Sequence, residues 1–171
     1  GECYCPLCQE AFRNWLRKKY DNDIEKLNHE WWTYFWSHRY TSFDQIESPS
    51  PLGETAVHGM NLDWKRFVTD QTIDFYRNEI AALREITPDI PVTTNLMGFF
   101  DGLDYWKFSQ ELDVASWDNY PLWGNDSEKT WETASHVAFI HDMNRSFLKG
   151  KPFMLMESVP TKTQWQPSCE I

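Results

Sequence analysis

The sequence predicts an α/β fold, helices packed on a sheet of parallel strands, and three observations predict it. Amphipathic helical stretches alternate along the chain with short apolar runs. Of those runs, residues 91–97 are rich in β-branched residues, 114–117 are short, and 153–156 are fully apolar, and such short apolar strands between helices suit a sheet covered on both faces. Polar residues gather at their C-terminal ends: Asn95, then Asp118 and Asn119, then Glu157. Strand C-termini form the active face of a (β/α) barrel, so this succession is barrel-like. An open doubly wound sheet has the same periodicity, although no Gly-rich phosphate loop supports it.

Each element can be justified in order. Residues 3–9 read as a tight loop, and 10–20 as a helix with Phe12, Trp15, Leu16 and Tyr20 on one stripe. A second helix starts at about Asp23, a residue type suited to an N-cap, and turns Ile24, Leu27, Trp31 and Tyr34 or Phe35 inward. Residues 37–60 hold Pro49, Pro51, Gly53 and Gly59 among polar residues and show neither period, so they read as a long surface excursion. From 63 to 86, Phe67, Ile73, Tyr76, Ile80 and Leu83 recur every three or four residues, and Thr87-Pro88 ends that helix. A strand over 91–97 stops at Gly98, a short helix covers 104–112, and a short strand covers 114–117. After a loop over 121–130, a helix over 131–148 carries Trp131, Val137, Ile140, Asn144 and Phe147 inward and is closed by Gly150. The strand over 153–156 leads at once into Glu157.

A length of 171 residues suits one ordinary domain, but a complete (β/α)8 barrel takes roughly 250. The chain also opens on Gly1 rather than Met, so it reads as part of a longer one. Hydrophobic residues at 41% and aromatic ones at 16% exclude low-complexity disorder. The ten Trp serve either the core or flat apolar surfaces on which a ligand stacks. With 16 Lys and Arg against 26 Asp and Glu, the net charge of -10 repels a phosphate backbone, so no nucleic-acid partner is expected. No apolar run approaches a membrane span and no charged-then-apolar leader opens the chain, so no membrane partner is expected either.

Cys3, Cys5 and Cys8 lie together within residues 1–9, while Cys169 stands apart. Clustered thiols favour metal ligation in a reducing compartment over a disulfide scaffold, which points to the cytoplasm. The Cys3-x-Cys5-x-x-Cys8 spacing can set three sulfurs around one tetrahedral zinc, which accepts thiolates at about 2.3 Å. Such a zinc would be structural and would not activate water. Three reduced, metal-free thiols are the alternative. His29, His38, His58, His136 and His141 show no ligand spacing. Glu157 is either a carboxylate held rigidly in a cleft or a cap for the next helix. Asn95 lines that cleft or forms an Asx-turn, and Asp118 and Asn119 shape a turn.

Residues 3–16, CYCPLCQEAFRNWL, together with Leu27-Asn28, Phe35-Trp36-Ser37, Thr93-Thr94-Asn95, Trp117-Asp118-Asn119-Tyr120-Pro121 and Met156-Glu157-Ser158, carry a more specific signal. This set, spread in order over essentially the whole chain, resembles the catalytic domain of family 42 glycoside hydrolases, the β-galactosidase type. The resemblance implies that residues 1–171 are part of a (β/α)8 TIM barrel, with strands five to seven and their helices present and strands one to four and eight absent. It implies that Glu157 is the catalytic nucleophile. The acid/base Glu of the family, in an Asn-Glu-Tyr segment ending strand four, would fall just before Gly1, and Glu2 does not match it. By the same resemblance Trp165 and Trp36 contact the sugar, and the Tyr120 hydroxyl donates to the nucleophile. The family's thiol cluster is completed by a fourth cysteine from an earlier loop, and Cys169 is read as a free thiol.

The implied reaction is retaining hydrolysis of terminal non-reducing β-D-galactose residues, with a β-galactoside or galacto-oligosaccharide as substrate. Retention needs two carboxyl groups about 5 to 5.5 Å apart. With one of the pair, this chain alone is expected to be inactive or nearly so. Family members commonly form trimers, so a homo-oligomer is the expected assembly. The rival reading is a non-catalytic, zinc-stabilised carbohydrate-binding module whose Trp residues stack on sugars. Strands taken from a closed barrel should also leave open edges and an uncovered apolar interior.

Overall fold

The computed structural model describes residues 3–50, 55–123 and 128–159. The chain divides into two compact units, Gly1–Thr72 and Ile73–Ile171.

The first unit opens with helix α1 (Pro6–Lys19). Pro6 occupies its first turn, where a missing N–H costs nothing and the fixed φ suits a helix. The helix therefore starts four residues before the expected boundary. Cys5 becomes its N-cap and Cys8 stands in its first turn, in place of the expected loop. Arg17, Lys18 and Lys19 crowd the last turn, where cations meet the negative end of the helix dipole.

Asp23 caps helix α2 (Ile24–Glu30), its carboxylate accepting from the Glu25 and Lys26 backbone N–H groups. The helix stops at Glu30, Trp32 is left-handed with φ 50°, and Thr33–Trp36 form a 3-10 turn. That turn carries Tyr34 and Phe35 off the helical stripe, and both are exposed rather than inward-facing.

Residues 37–50 are pinned rather than looped free. Asn28 holds both backbone groups of Tyr40, donating to its O at 2.7 Å and accepting from its N at 3.0 Å. Gln9 likewise donates to Ser48 Oγ at 2.7 Å and accepts from Ser48 N at 2.9 Å. These side-chain anchors replace a ladder for buried backbone, and between them Phe43 and Ile46 enter the core.

Helix α3 (His58–Ile86) ends where Thr87-Pro88 predicts, and starts five residues before the expected 63. Gly59 permits its approach to Trp31, since a Cβ there would lie 2.8 Å from the Trp31 Cα. Phe12, Leu16, Leu27, Trp31, Trp64 and Phe67 form the heart of this unit's core. Beneath them Asp63, 1% exposed, accepts from Tyr20 OH at 2.6 Å, Trp31 Nε1 at 3.0 Å, Arg66 Nη1 at 2.9 Å, and Lys19 Nζ.

The second unit contains β1 (Asn95–Met97), α4 (Tyr105–Ser109), β2 (Ser116–Asn119), α5 (Thr130–Phe147) and β3 (Met154–Ser158). The strands form an open parallel sheet in the order β1-β2-β3. This is the partial (β/α) barrel that the apolar strands and intervening helices predict.

Asp104 caps α4 by accepting from the Lys107 N–H. Leu96 and Trp117, both buried, pack one face of the sheet against Ile140 and Phe147 of α5 and Tyr105 and Phe108 of α4. Trp131 lies outside that packing and is exposed, while Ile140, Asn144 and Phe147 of the same expected stripe are buried. Helix α5 closes through left-handed Lys149 and Gly150, the Gly150 N–H reaching back to Arg145 O at 3.1 Å.

The β1 ladder begins at Asn95, four residues later than expected. Ahead of it, side chains do the pairing: Thr93 Oγ1 donates to Val114 O at 2.6 Å and Ser116 Oγ to Thr94 O at 2.9 Å. Among the described residues β3 is an edge strand, and Met154, Leu155 and Met156 are each about 40% exposed. An uncovered apolar edge of this kind is what an open barrel segment should show.

Candidate active site and cysteine cluster

The polar residues of the strand ends meet through the pairing register. Across the sheet Met97 pairs with Asp118 and Asp118 with Glu157. Trp117 pairs with Leu155, so between consecutive pairs β3 spends two steps where β2 spends one, and Met156 is the extra residue of a β-bulge. Side chains alternate faces along a strand, and the bulge resets that alternation. It puts Glu157 on the face of Asp118 and Asn95, opposite the face where Leu96 and Trp117 are buried.

Both oxygens of Glu157 are held. Asn95 Nδ2 donates to Oε1 at 3.4 Å, and the Tyr120 hydroxyl donates to Oε2 in a short hydrogen bond. Asn95 Nδ2 also donates to Asp118 Oδ2. The hydrogen bond to Glu157 is the main cause that pushes the Tyr120 hydroxyl up to about 12, with burial and the Glu157 charge adding to it. Tyr120 therefore stays a donor across the neutral range. Burial, joined by the charge of Glu157, raises Asp118 above the ordinary carboxylate range, against the hydrogen bond from Asn95. A cavity of about 450 Å³ adjoins these residues, lined by Asp118, Asn119 and Tyr120 from the β2 end and by Phe99, Thr133 and His136.

Glu157 is thus in contact with both Tyr120 and Asn95, which with it are three of the residues singled out in the sequence. Asn95 reaches across to two strands and is no local Asx-turn. Asp118, read from the sequence as a turn former, is a strand residue and the fourth member of the group. Its clue lay in the alternation Trp117-Asp118, which sends one residue to the core and the next to the opposite face. Trp36 belongs to the first unit, packed edge-on against Phe35 with ring centroids 4.9 Å apart and against His58 at 5.8 Å. Trp165 and Cys169 lie outside the described residues.

In the first unit the Cys3, Cys5 and Cys8 sulfurs all lie within 4.8 Å of one another. The Cys8 backbone N–H, with the Cys3 side chain next in weight, draws the Cys5 thiol down to about 7. Cys8, hydrogen-bonded to Cys3 and then to Cys5, is pushed up to about 12. Cys5 is therefore drawn toward ionisation and Cys8 away from it, within a three-sulfur donor set that could chelate a soft divalent ion. Two of the three are exposed, and Sγ···Sγ separations of roughly 3.8 Å around a tetrahedral ion follow from zinc–sulfur bonds of about 2.3 Å. The residues fit such an ion.

The sequence profile of glycoside hydrolase family 42, described as beta-galactosidase, matches residues 1–171. This chain belongs to that family. Family 42 relatives include β-galactosidase Pbg of Clostridium perfringens, 60% identical over 174 residues, which cover 100% of this chain and 25% of Pbg. β-Galactosidase BglY of Alicyclobacillus acidocaldarius is 61% identical over 166 residues, covering 97% of this chain and 24% of BglY. Among solved structures, the β-galactosidase of Rahnella sp. R3 superposes with a TM-score of 0.94 at 48% identity, over 100% of this chain and 25% of that one. A catalytic mutant of Gan42B, a family 42 β-galactosidase of G. stearothermophilus, gives a TM-score of 0.93 at 58% identity over 98% of this chain and 25% of its own. The chain thus spans about a quarter of the length of these relatives. Among the described residues no helix is long and apolar enough to cross a membrane.

Proposed function

We propose that the family 42 protein carrying this sequence hydrolyses terminal, non-reducing β-D-galactose residues with retention of configuration, and that Glu157 is its nucleophile. The observation that carries the reading is Glu157 itself, a carboxylate at a parallel strand end with each oxygen held by a donor from another segment. The relatives support the substrate class, since they are named β-galactosidases. A β-galactoside or galacto-oligosaccharide is the substrate, and the protein assembles as a homo-oligomer in the cytoplasm.

In this reaction one Glu157 oxygen attacks the anomeric carbon as the glycosidic bond breaks, and the leaving oxygen takes a proton from an acid/base carboxyl group outside this chain. That same group, now a base, takes a proton from water as the water oxygen attacks the anomeric carbon. Galactose leaves and the Glu157 carboxylate is restored. Tyr120 and Asn95 fix the angle from which Glu157 attacks. The resemblance to the family further assigns sugar contact to Trp165 and to Trp36, aromatic residues of the kind that pack on the C–H face of a sugar and help exclude water.

A 2-deoxy-2-fluoro-β-galactosyl fluoride tests the assignment, with the adduct located by peptide mapping. We expect labelling at Glu157 in a protein extended to the whole barrel and none in this chain alone. In the extended protein Tyr120→Phe should slow labelling by about 10–100-fold, the worth of a hydrogen bond to a charged acceptor. If galactosyl, glucosyl and arabinosyl fluorides all fail to label while both proteins bind galactosides, the carbohydrate-binding module replaces the enzyme.

Cys3, Cys5 and Cys8 hold a structural zinc, the fourth ligand coming from elsewhere. Bound by sulfur on all sides, the ion contributes to folding and takes no part in the reaction. The whole protein should therefore contain one zinc per chain by elemental analysis. A chelator, or Cys5→Ser, should lower its thermal midpoint while leaving kcat unchanged at temperatures well below that midpoint. Loss of kcat in parallel with zinc, in protein that is still folded, would argue against a purely structural ion.

A further inference from the structure

Asn95 stands between two carboxylates, donating through one Nδ2 atom to Asp118 on β2 and to Glu157 on β3. We propose that Asp118 is a positioning residue for Glu157 that acts through Asn95: by accepting one amide N–H, it holds the other against the nucleophile. The inference rests on the reading of Glu157 as nucleophile.

The need for such a device follows from the chemistry of the amide. An asparagine side chain presents a carbonyl and an amino group of nearly equal size, and rotation by half a turn exchanges them. Asn95 is exposed, so packing does not fix that rotation. If the carbonyl swung toward Glu157, two acceptors would face each other and the carboxylate would be pushed out of line. Ionised carboxylates offer acceptors only. With Asp118 on one side and Glu157 on the other, the amino group satisfies both and the carbonyl is turned from each.

Asp118 is built to act as the fixed partner. It lies on the central strand, paired with Met97 on one side and Glu157 on the other. It is also less exposed than either Asn95 or Glu157. Its Oδ1 is buried with no hydrogen-bond partner among the described residues, while its Oδ2 accepts from Asn95. Within these residues the hydrogen bonding of the carboxylate is therefore directed to Asn95. The charge of Asp118 brings no benefit of its own, since a second anion beside the nucleophile repels it.

The test is a mutant cycle in the protein extended to the whole barrel, read as kcat/KM on an aryl β-galactoside, with thermal midpoints measured alongside. Asp118→Ala and Asn95→Ala should each lose about tenfold, and the double variant should be no lower than Asn95→Ala within about twofold, because each removes one link of a single chain. Asp118→Asn keeps an acceptor oxygen in place, so it should stay within about threefold of the parent at an unchanged thermal midpoint. When the single variants are impaired, either of two results overturns the inference. Losses that multiply to about 100-fold in the double variant mean that Asp118 acts independently of Asn95. An Asp118→Asn as impaired as Asp118→Ala means that its charge, rather than its acceptor, matters. Glu157→Gln separates this inference from the one beneath it. If Glu157→Gln stays active, the nucleophile reading has failed. If it is inactive while Asp118→Ala and Asn95→Ala remain at parent levels, only the positioning role has failed.

Discussion

Glu157→Gln, made in the protein extended to the whole barrel, should lower kcat/KM by at least about 10⁴-fold, a loss in the range expected when a covalent nucleophile is removed. The substitution keeps the shape of the side chain and an oxygen that can accept from Tyr120 or Asn95, so the thermal midpoint should move little. The loss falls on bond making rather than on sugar binding, and a galactoside inhibitor should keep its affinity within a few-fold. A further variant gives a signature that structural damage cannot imitate. Glu157→Gly opens space on the face from which the carboxylate would attack, and added azide should enter there. The product should be the α-galactosyl azide, of inverted configuration, from an activated β-galactoside. Recovery of activity with a β-linked product, or none with azide while another carboxylate variant is rescued, would move the nucleophile to a different residue.

The second large effect concerns folding. Asp63→Ala should destabilise the first unit by about 3–5 kcal/mol, because it leaves buried donors without their shared acceptor. Tyr20 OH and Trp31 Nε1 are the costly ones, since both residues are buried, whereas Lys19 and Arg66 retain access to water. Asp63→Asn, which keeps one acceptor, should cost less. The same carboxylate sets a pH dependence. Burial works to raise its pKa, but hydrogen bonds from Lys19, Tyr20, Trp31 and Arg66 outweigh that and hold it below the usual range. A depressed folded-state value means that the stabilisation is full above the unfolded value of about 3.9 and is lost as pH falls through the folded one. Unfolding of the first unit, followed by tryptophan fluorescence, should therefore steepen below about pH 4 in the parent and flatten in Asp63→Ala. Equal acid sensitivity in both would exclude Asp63 as the controlling group.

Much of this was legible in the residues. Apolar runs separated by helical periods locate the three strands of the described residues, and the motifs singled out in the sequence contain Glu157 and Tyr120, which are hydrogen-bonded, and Cys3, Cys5 and Cys8, whose sulfurs lie together. What was missed follows a pattern. The start of α1 was set too late because Pro6 and three cysteines look like a loop, although a first turn accepts both. Tyr34 and Phe35 continue the period of α2 in sequence, yet a left-handed Trp32 has already ended it. Asp63 shares a helical face with Met60, Trp64 and Phe67, and a carboxylate on an apolar stripe was the available sign of a buried hub. Asp118 was assigned to a turn because Asn and Asp favour turns, and sheet pairing overrode that preference. The bulge left no mark at all, because Met156 is as apolar as Met154 and Leu155 and register is a property of two strands rather than one.

The bulge at Met156 decides which side of the sheet the Glu157 carboxylate serves. If β3 paired at full length without it, Met156 would stand opposite Asp118, and Glu157 would move on to Asn119 and turn toward the buried face of Leu96 and Trp117. Removal of Met156 has the opposite result: Glu157 would follow Leu155 directly and keep its place beside Asp118 in a regular ladder. Shortening the strand by this one residue is therefore the conservative change, and straightening it at full length is the damaging one.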